Sequence, residues 1–241
     1  TTLLTVALLA ISSSGLAQKK NAEERGVRSK SFTVSKGGNL EVTTSVGDIR
    51  INPWEKNEVY VEVDGIDEED LDRLKMTQSG NSVRVTFRPR WGDYGDVRFE
   101  ISVPSQFDIE LKTSGGNMEI TGNLSGKING STAGGDIRLK GNIGGTVDMS
   151  TSGGNVEVRN ITGDGFLKTS GGDIRIGTVN GELEAGTSGG DIDVESVGKS
   201  LDAKTSGGDI RVGDVGGEAK VSTAGGDIKM GKVSGKASMS T

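Results

Sequence analysis

The chain has 241 residues, a net charge of −6, a hydrophobic fraction of only 32% and 40 glycines, which argues against a thick globular core. It contains neither cysteine nor histidine, so disulfides, thiolate nucleophiles, imidazole bases and Cys/His zinc sites are all excluded. The acidic balance, with no lysine- or arginine-rich run after the first 30 residues, also lacks the electrostatic footprint of a nucleic-acid binder.

Residues 1–17, TTLLTVALLAISSSGLA, form an apolar run that ends in small residues, and Ala17 before Gln18 suits a cleavage point. This pattern predicts a secretory signal peptide; the apolar run is far shorter than the roughly 20 residues needed to span a bilayer. Because the chain opens at Thr1 rather than methionine, loss of the charged n-region by truncation is expected. Residues 18–30 are charged and aperiodic and are expected to be a flexible lead.

Residues 31–112 are expected to form an N-terminal β region that caps the repeat beginning at Thr113. SFTV (31–34), LEVTTS (40–45), DIRI (48–51) and EVYVEV (58–63) alternate apolar and polar residues, the period of a strand. In DEEDLDRLKM, Leu71, Leu74 and Met76 suit one or two turns of helix after an acidic start. SVRVTFRPR (82–90) and VRFEISV (97–103) read as two strands joined hairpin-fashion through WGDYGD. All three prolines and eight of the nine aromatics precede Gly115, so this region has the bulkier side chains needed to close the bare edge of a repeat.

From Thr113 to Thr241 one phrase recurs seven times: TSGGNMEI, TAGGDIRL, TSGGNVEV, TSGGDIRI, TSGGDIDV, TSGGDIRV and TAGGDIKM. The first glycines are spaced 19, 19, 18, 18, 18 and 18 residues apart, the mark of stacked supersecondary units. Each unit has two short strands separated by glycine-bearing corners, where positive φ would favour glycine. The residue after the first apolar position of each phrase runs Glu119, Arg138, Glu157, Arg175, Asp193, Arg211, Lys229, alternating in sign until its last member. Opposite charges side by side stabilise neighbouring strands, and only coil-on-coil stacking makes these residues neighbours; in a meander another strand would intervene. The prediction is an all-β protein: a single-stranded parallel β-helix or solenoid with coils of about 18 residues, capped at its N-terminal end. Thr241 falls where an eighth phrase would begin, so the repeat is expected to continue beyond this sequence.

The succession GNLEVTTSVGDIRI, NEVYVEV, SVRVTFRP, VRFEISVP, FDIELKTSGGNMEI and the GGDI repeats resembles the bacterial "putative adhesin" family of secreted β-strand-repeat domains, a domain of unknown function. The resemblance covers residues 31–241 and rests on the order of the phrases rather than on any single one. It implies a parallel β-helix-like fold and a cell-envelope location, and it brings no catalytic residues with it.

Several columns of residues carry possible chemistry. Asn117, Asp136, Asn155, Asp173, Asp191, Asp209 and Asp227 form an Asx column that resembles calcium-binding β-rolls. The glycine those nonapeptides require is missing, and two positions are uncharged, which favours a structural ladder bonded to backbone amides. The threonines that open each phrase could present an ice-binding array, but a second outward threonine per coil is absent, so a structural hydroxyl ladder is expected instead. Trp91 and Tyr94, flanked by Arg88 and Arg90, combine aromatic faces with polar neighbours as sugar-binding sites do; packing on the end of the solenoid is the alternative. Phe166, the lone aromatic of the repeat, marks either a contact patch or a local bulge. Uniform, tight corners leave no cleft for a polysaccharide-active enzyme. The expectation is therefore a non-catalytic, adhesin-like envelope or surface protein, located in the periplasm, on the outer surface or secreted. It needs no cofactor or metal, and its expected partner is a cell-envelope glycan or a surface protein.

Overall fold

A computed structural model describes residues 27–90 and 97–241. The expected signal peptide, most of the lead, and Trp91 and Tyr94 lie outside the described residues. The first part of the fold comprises β1 (Arg28–Thr33), β2 (Gly38–Thr44), β3 (Asp48–Trp54), β4 (Glu58–Asp64), a 3-10 helix (Glu68–Arg73), β5 (Leu74–Ser79), β6 (Ser82–Phe87), β7 (Arg98–Pro104) and β8 (Phe107–Lys112). Each later coil adds one strand to each of two sheets. The first sheet receives β9 (Met118–Ile120), β11 (Ile137–Ile143), β13 (Val156–Ile161), β15 (Ile174–Val179), β17 (Ile192–Val197), β19 (Ile210–Val215) and β21 (Ile228–Met230). The second sheet receives β10 (Ile128–Ser131), β12 (Val147–Ser150), β14 (Gly165–Lys168), β16 (Leu183–Gly186), β18 (Leu201–Lys204), β20 (Ala219–Ser222) and β22 (Ala237–Ser240).

Among the described residues both sheets have eleven strands, and every pairing between coils of the repeat is parallel. The molecule is thus an all-β parallel solenoid of about seven turns with coils of about 18 residues. Inward residues such as Ile174, Ile176, Leu183 and Ala185 are buried between the sheets, and their equivalents stack coil upon coil, Ile174 on Ile192 and Leu183 on Leu201. Each layer of this thin core touches only the layers beside it, as in other solenoids.

The N-terminal region continues the same two sheets instead of standing apart from them. β2 and β3 form a coil on which β8 and β9 stack, and β6 and β7 form a further coil on the other side of β2 and β3. β6 and β7 therefore lie in different sheets, and the expected hairpin between them is corrected: they are successive strands of one coil. Antiparallel strands close this end, β1 on β4 and β4 on β7 in the first sheet, and β5 on β6 in the second. Fully buried Phe87, Phe99 and Phe107 supply the bulk there. The helix expected around DEEDLDRLKM is a single 3-10 segment that stops at Arg73; Leu74 and Met76 belong to β5.

Glycine's role at the repeat corners also differs from expectation. Positive φ occurs at Gly37, Gly47, Gly65 and Gly80, all in the N-terminal region, and at no described glycine of the repeat. The second glycine of each pair is required by close backbone approach. A Cβ on Gly172 would overlap the carbonyl oxygen of Gly154 in the preceding coil.

Candidate functional site

The corners are held by two hydrogen-bonded ladders. Each phrase-opening threonine is buried, 5–8% exposed, which removes it from any ice-facing surface. Its hydroxyl donates to a glycine carbonyl of the preceding coil, as Thr187 Oγ1 does to Gly172 O at 2.9 Å, and accepts from the amide of Gly190 at 3.3 Å. The Asx column forms the second ladder. Each Oδ1 accepts the backbone N–H of the equivalent residue one coil on: Asn117 from Asp136, Asp136 from Asn155, Asn155 from Asp173, Asp173 from Asp191, Asp191 from Asp209 and Asp209 from Asp227, all at 2.8–2.9 Å. Asp48 begins the ladder by accepting from Asn117 at 2.8 Å.

The second carboxylate oxygen of the ladder is used as well. Asp136 Oδ2 accepts from Arg138 at 2.6 Å, Asp173 Oδ2 from Arg175 at 2.8 Å and Asp209 Oδ2 from Arg211 at 2.6 Å. The amide donated by Asp209, then the Arg211 guanidinium, holds the Asp191 carboxyl below the usual carboxylate range. Among the described residues no group of three or more acidic side chains is placed to hold a metal ion.

These arginines belong to the outward column of alternating charge. Arg138 stands between Glu119 and Glu157, and Arg175 between Glu157 and Asp193, in regular register. The alternation reaches back into the N-terminal coils, where Arg50 bridges Glu100 at 3.2 Å and Glu119 at 3.6 Å. Beside this column the strand period slips. Val158 and Ile161, Ile176 and Val179, Val194 and Val197, and Val212 and Val215 are buried three residues apart, so two successive residues in each strand face outward. Arg159, Gly177, Glu195 and Gly213 are skipped by the regular pairing.

Along that slip runs an open groove of about 1040 Å³ on the first sheet, crossing all six strands from β11 to β21. Its walls carry Arg138, Glu157, Arg175, Asp193, Arg211 and Lys229, and its lining includes the skipped positions. The charged column was visible in the sequence; the groove was not. Its available signal was the apolar spacing of three in IRIGTV and its equivalents, where a uniform strand keeps a spacing of two.

Arg88 and Arg90 lie elsewhere, after β6 at the N-terminal end. Arg90 donates its backbone N–H to the buried carboxylate of Asp70 at 3.2 Å, and Arg88 O accepts from Arg73 at 3.3 Å. Phe166 is 39% exposed on the outer face of the second sheet, between Asp148 and Glu184 in unbroken register, so no bulge displaces it. No helix among the described residues is long and apolar enough to cross a membrane.

The fold and the repeat phrases have counterparts among known proteins. The family model described as Toastrack DUF4097 matches residues 37–240. A solved structure of a "putative lipid binding protein" from Parabacteroides distasonis is 16% identical with a TM-score of 0.53, over 89% of this chain and 96% of that one. A "putative adhesin" from Parabacteroides merdae is 17% identical with a TM-score of 0.54, over 89% of this chain and 95% of that one. At this level of identity the likeness establishes the fold. No curated protein matches the chain.

Proposed function

The chain belongs to the Toastrack DUF4097 family, and on that premise we propose that it is a non-catalytic, adhesin-like protein of the cell envelope or surface. It is exported, and it makes its contacts through the repetitive outer face of the solenoid. The observation that carries this reading is the groove on the first sheet: a column of alternating basic and acidic side chains, ending in Lys229, that runs coil after coil across six strands. A catalytic site converges unlike groups on one point and excludes water from it. This surface instead repeats an alternation of basic and acidic groups along a line and leaves them in solvent, which suits adhesion to an extended partner. The names given to the two structural neighbours are compatible with a surface role.

The test is binding of the purified chain to whole bacterial cells and envelope fractions, with product analysis after long incubation. Binding without release of fragments is expected; release of oligosaccharides would overturn the non-catalytic reading. Trp91→Ala, measured alongside, asks whether the segment after Arg90 adds a second contact. Lost binding in that variant would move the principal contact to the N-terminal end.

A further inference from the structure

We infer that the groove on the first sheet binds a linear, uncharged polysaccharide lying along the solenoid axis, with Arg138, Arg175 and Arg211 as hydrogen-bond donors and Glu157 and Asp193 as acceptors between them. The inference rests on the adhesive reading and supplies its ligand.

Shape comes first. The groove is open and crosses six strands, which at about 4.8 Å per strand gives a length of about 24 Å. A monosaccharide would touch one or two coils, whereas a polymer meets the same alternation of arginine and carboxylate again at every second strand, about 9.6 Å along. A pair of linked pyranose units has a length close to that repeat, so alternate sugars can meet alternate coils in the same way.

Charge decides between kinds of polymer. Three of the four groove arginines are not free cations, because Arg175 is bound to Asp173 at 2.8 Å, Arg138 to Asp136 at 2.6 Å and Arg211 to Asp209 at 2.6 Å. Lys140 is likewise held by Glu119 at 2.9 Å, and Arg211 also reaches Asp193 at 3.5 Å. With the pairs counted as neutral, Arg159 and Lys229 are balanced by Glu157 and Glu195 in the same lining, and the groove has little net field to draw in a polyanion. Its charged groups disfavour a lipid chain, since an apolar ligand would desolvate them without replacing their hydrogen bonds.

A hydroxyl fits both kinds of wall residue, because it accepts from a guanidinium and donates to a carboxylate. An arginine has five N–H donors, and Arg175 commits one of them to Asp173. The ladder also fixes the guanidinium before the ligand arrives. Asp173 Oδ1 is itself held by the Asp191 amide, so ordering this wall costs little on binding.

The experiment is calorimetric titration of the full chain with neutral glucan and N-acetylglucosamine oligomers, from disaccharide to octasaccharide, and with a polyuronate of matched length. Affinity is expected to rise with length and level off near the groove length, at about five sugars, and to be insensitive to salt. Arg175→Ala should weaken binding roughly tenfold, the loss expected of one or two hydrogen bonds. Arg84→Ala, on the second sheet, should leave it unchanged. Should Arg175→Ala melt early, Arg211→Ala serves in its place. Tighter, salt-sensitive binding of the polyuronate, affinity independent of length, or equal affinity in the Arg175 and Arg84 variants would overturn the inference. If no neutral oligomer binds while the chain still adheres to cells, the ligand class falls and the adhesive reading stands. If neither binds, both fall.

Discussion

Adjacent glycines in this repeat differ sharply in what they tolerate. A Cβ on Gly115 would meet nothing within 4 Å, whereas one on Gly116 would overlap the backbone carbonyl of Gly47. Val46 occupies the place of Gly115 in the earlier coil, so a side chain is already accommodated there. Gly115→Ala is therefore expected to be neutral or to stabilise by up to about 1 kcal/mol through the unfolded chain. Gly116→Ala should destabilise by several kcal/mol or prevent folding, since only backbone movement could relieve the overlap. Thermal melts of the two variants check this; equal melting temperatures would refute it. A second prediction at this scale concerns Asp191, whose carboxyl is held below the usual range first by the Asp209 amide and then by Arg211. A group depressed in the folded state contributes stability above its unfolded value of about 3.9 and loses it as pH falls towards its folded value. Asp191→Asn keeps an Oδ1 acceptor, as Asn117 and Asn155 do in the same ladder. The wild type should be the more stable at neutral pH, and its advantage should shrink below about pH 4. A difference that stays constant down to about pH 2 would show that the ionised carboxylate adds nothing.

Within one coil the parts contact only the coils before and after, which makes the coil a unit of stability. Residues 174–191 are one such unit, and their removal joins Asp173 to Ile192 in phase, so the shortened chain should fold and melt cooperatively at a moderately lower temperature. Removal of residues 174–182, half a coil, would place strands of the second sheet where the first sheet requires partners, and should abolish folding. Circular dichroism and melting of both deletions decide the matter. This modularity is also why the repeat was legible from sequence. The alternation from Glu119 to Arg211 implied strand neighbours, and the register pairs those residues one by one. Where contacts skip along the chain, legibility failed. β6 and β7 look like a hairpin from their spacing, yet their partners are β2 and β3, set by burial of Val83, Val85, Phe99 and Ile101 in two different sheets. The groove was hidden for another reason: it arises from a slip of one residue between Ile176 and Val179, which composition and charge do not register.

At the scale of the whole molecule, the antiparallel strands at the N-terminal end and the parallel stack depend on each other. β9 is paired on one side by β3 and on the other by β11, and β10 by β8 and β12. The ladders cross the same junction, because Asn117 donates its amide to Asp48 at 2.8 Å and a cradle formed by Gly47 receives Gly116. Loss of residues 1–112 would strip the partners from β9 and β10 together and leave two flat parallel edges with unpaired N–H and C=O groups. Such edges recruit other strands. The isolated segment 113–241 would have such edges at both ends, whereas the chain with its N-terminal coils has them only at β21 and β22; the segment is therefore expected to be clearly more aggregated or oligomeric than that chain under the same buffer conditions. Light scattering after size-exclusion chromatography separates the outcomes. A monomeric, cooperatively melting 113–241 would mean that the stack closes its own end, and that the antiparallel strands serve some purpose other than protecting it.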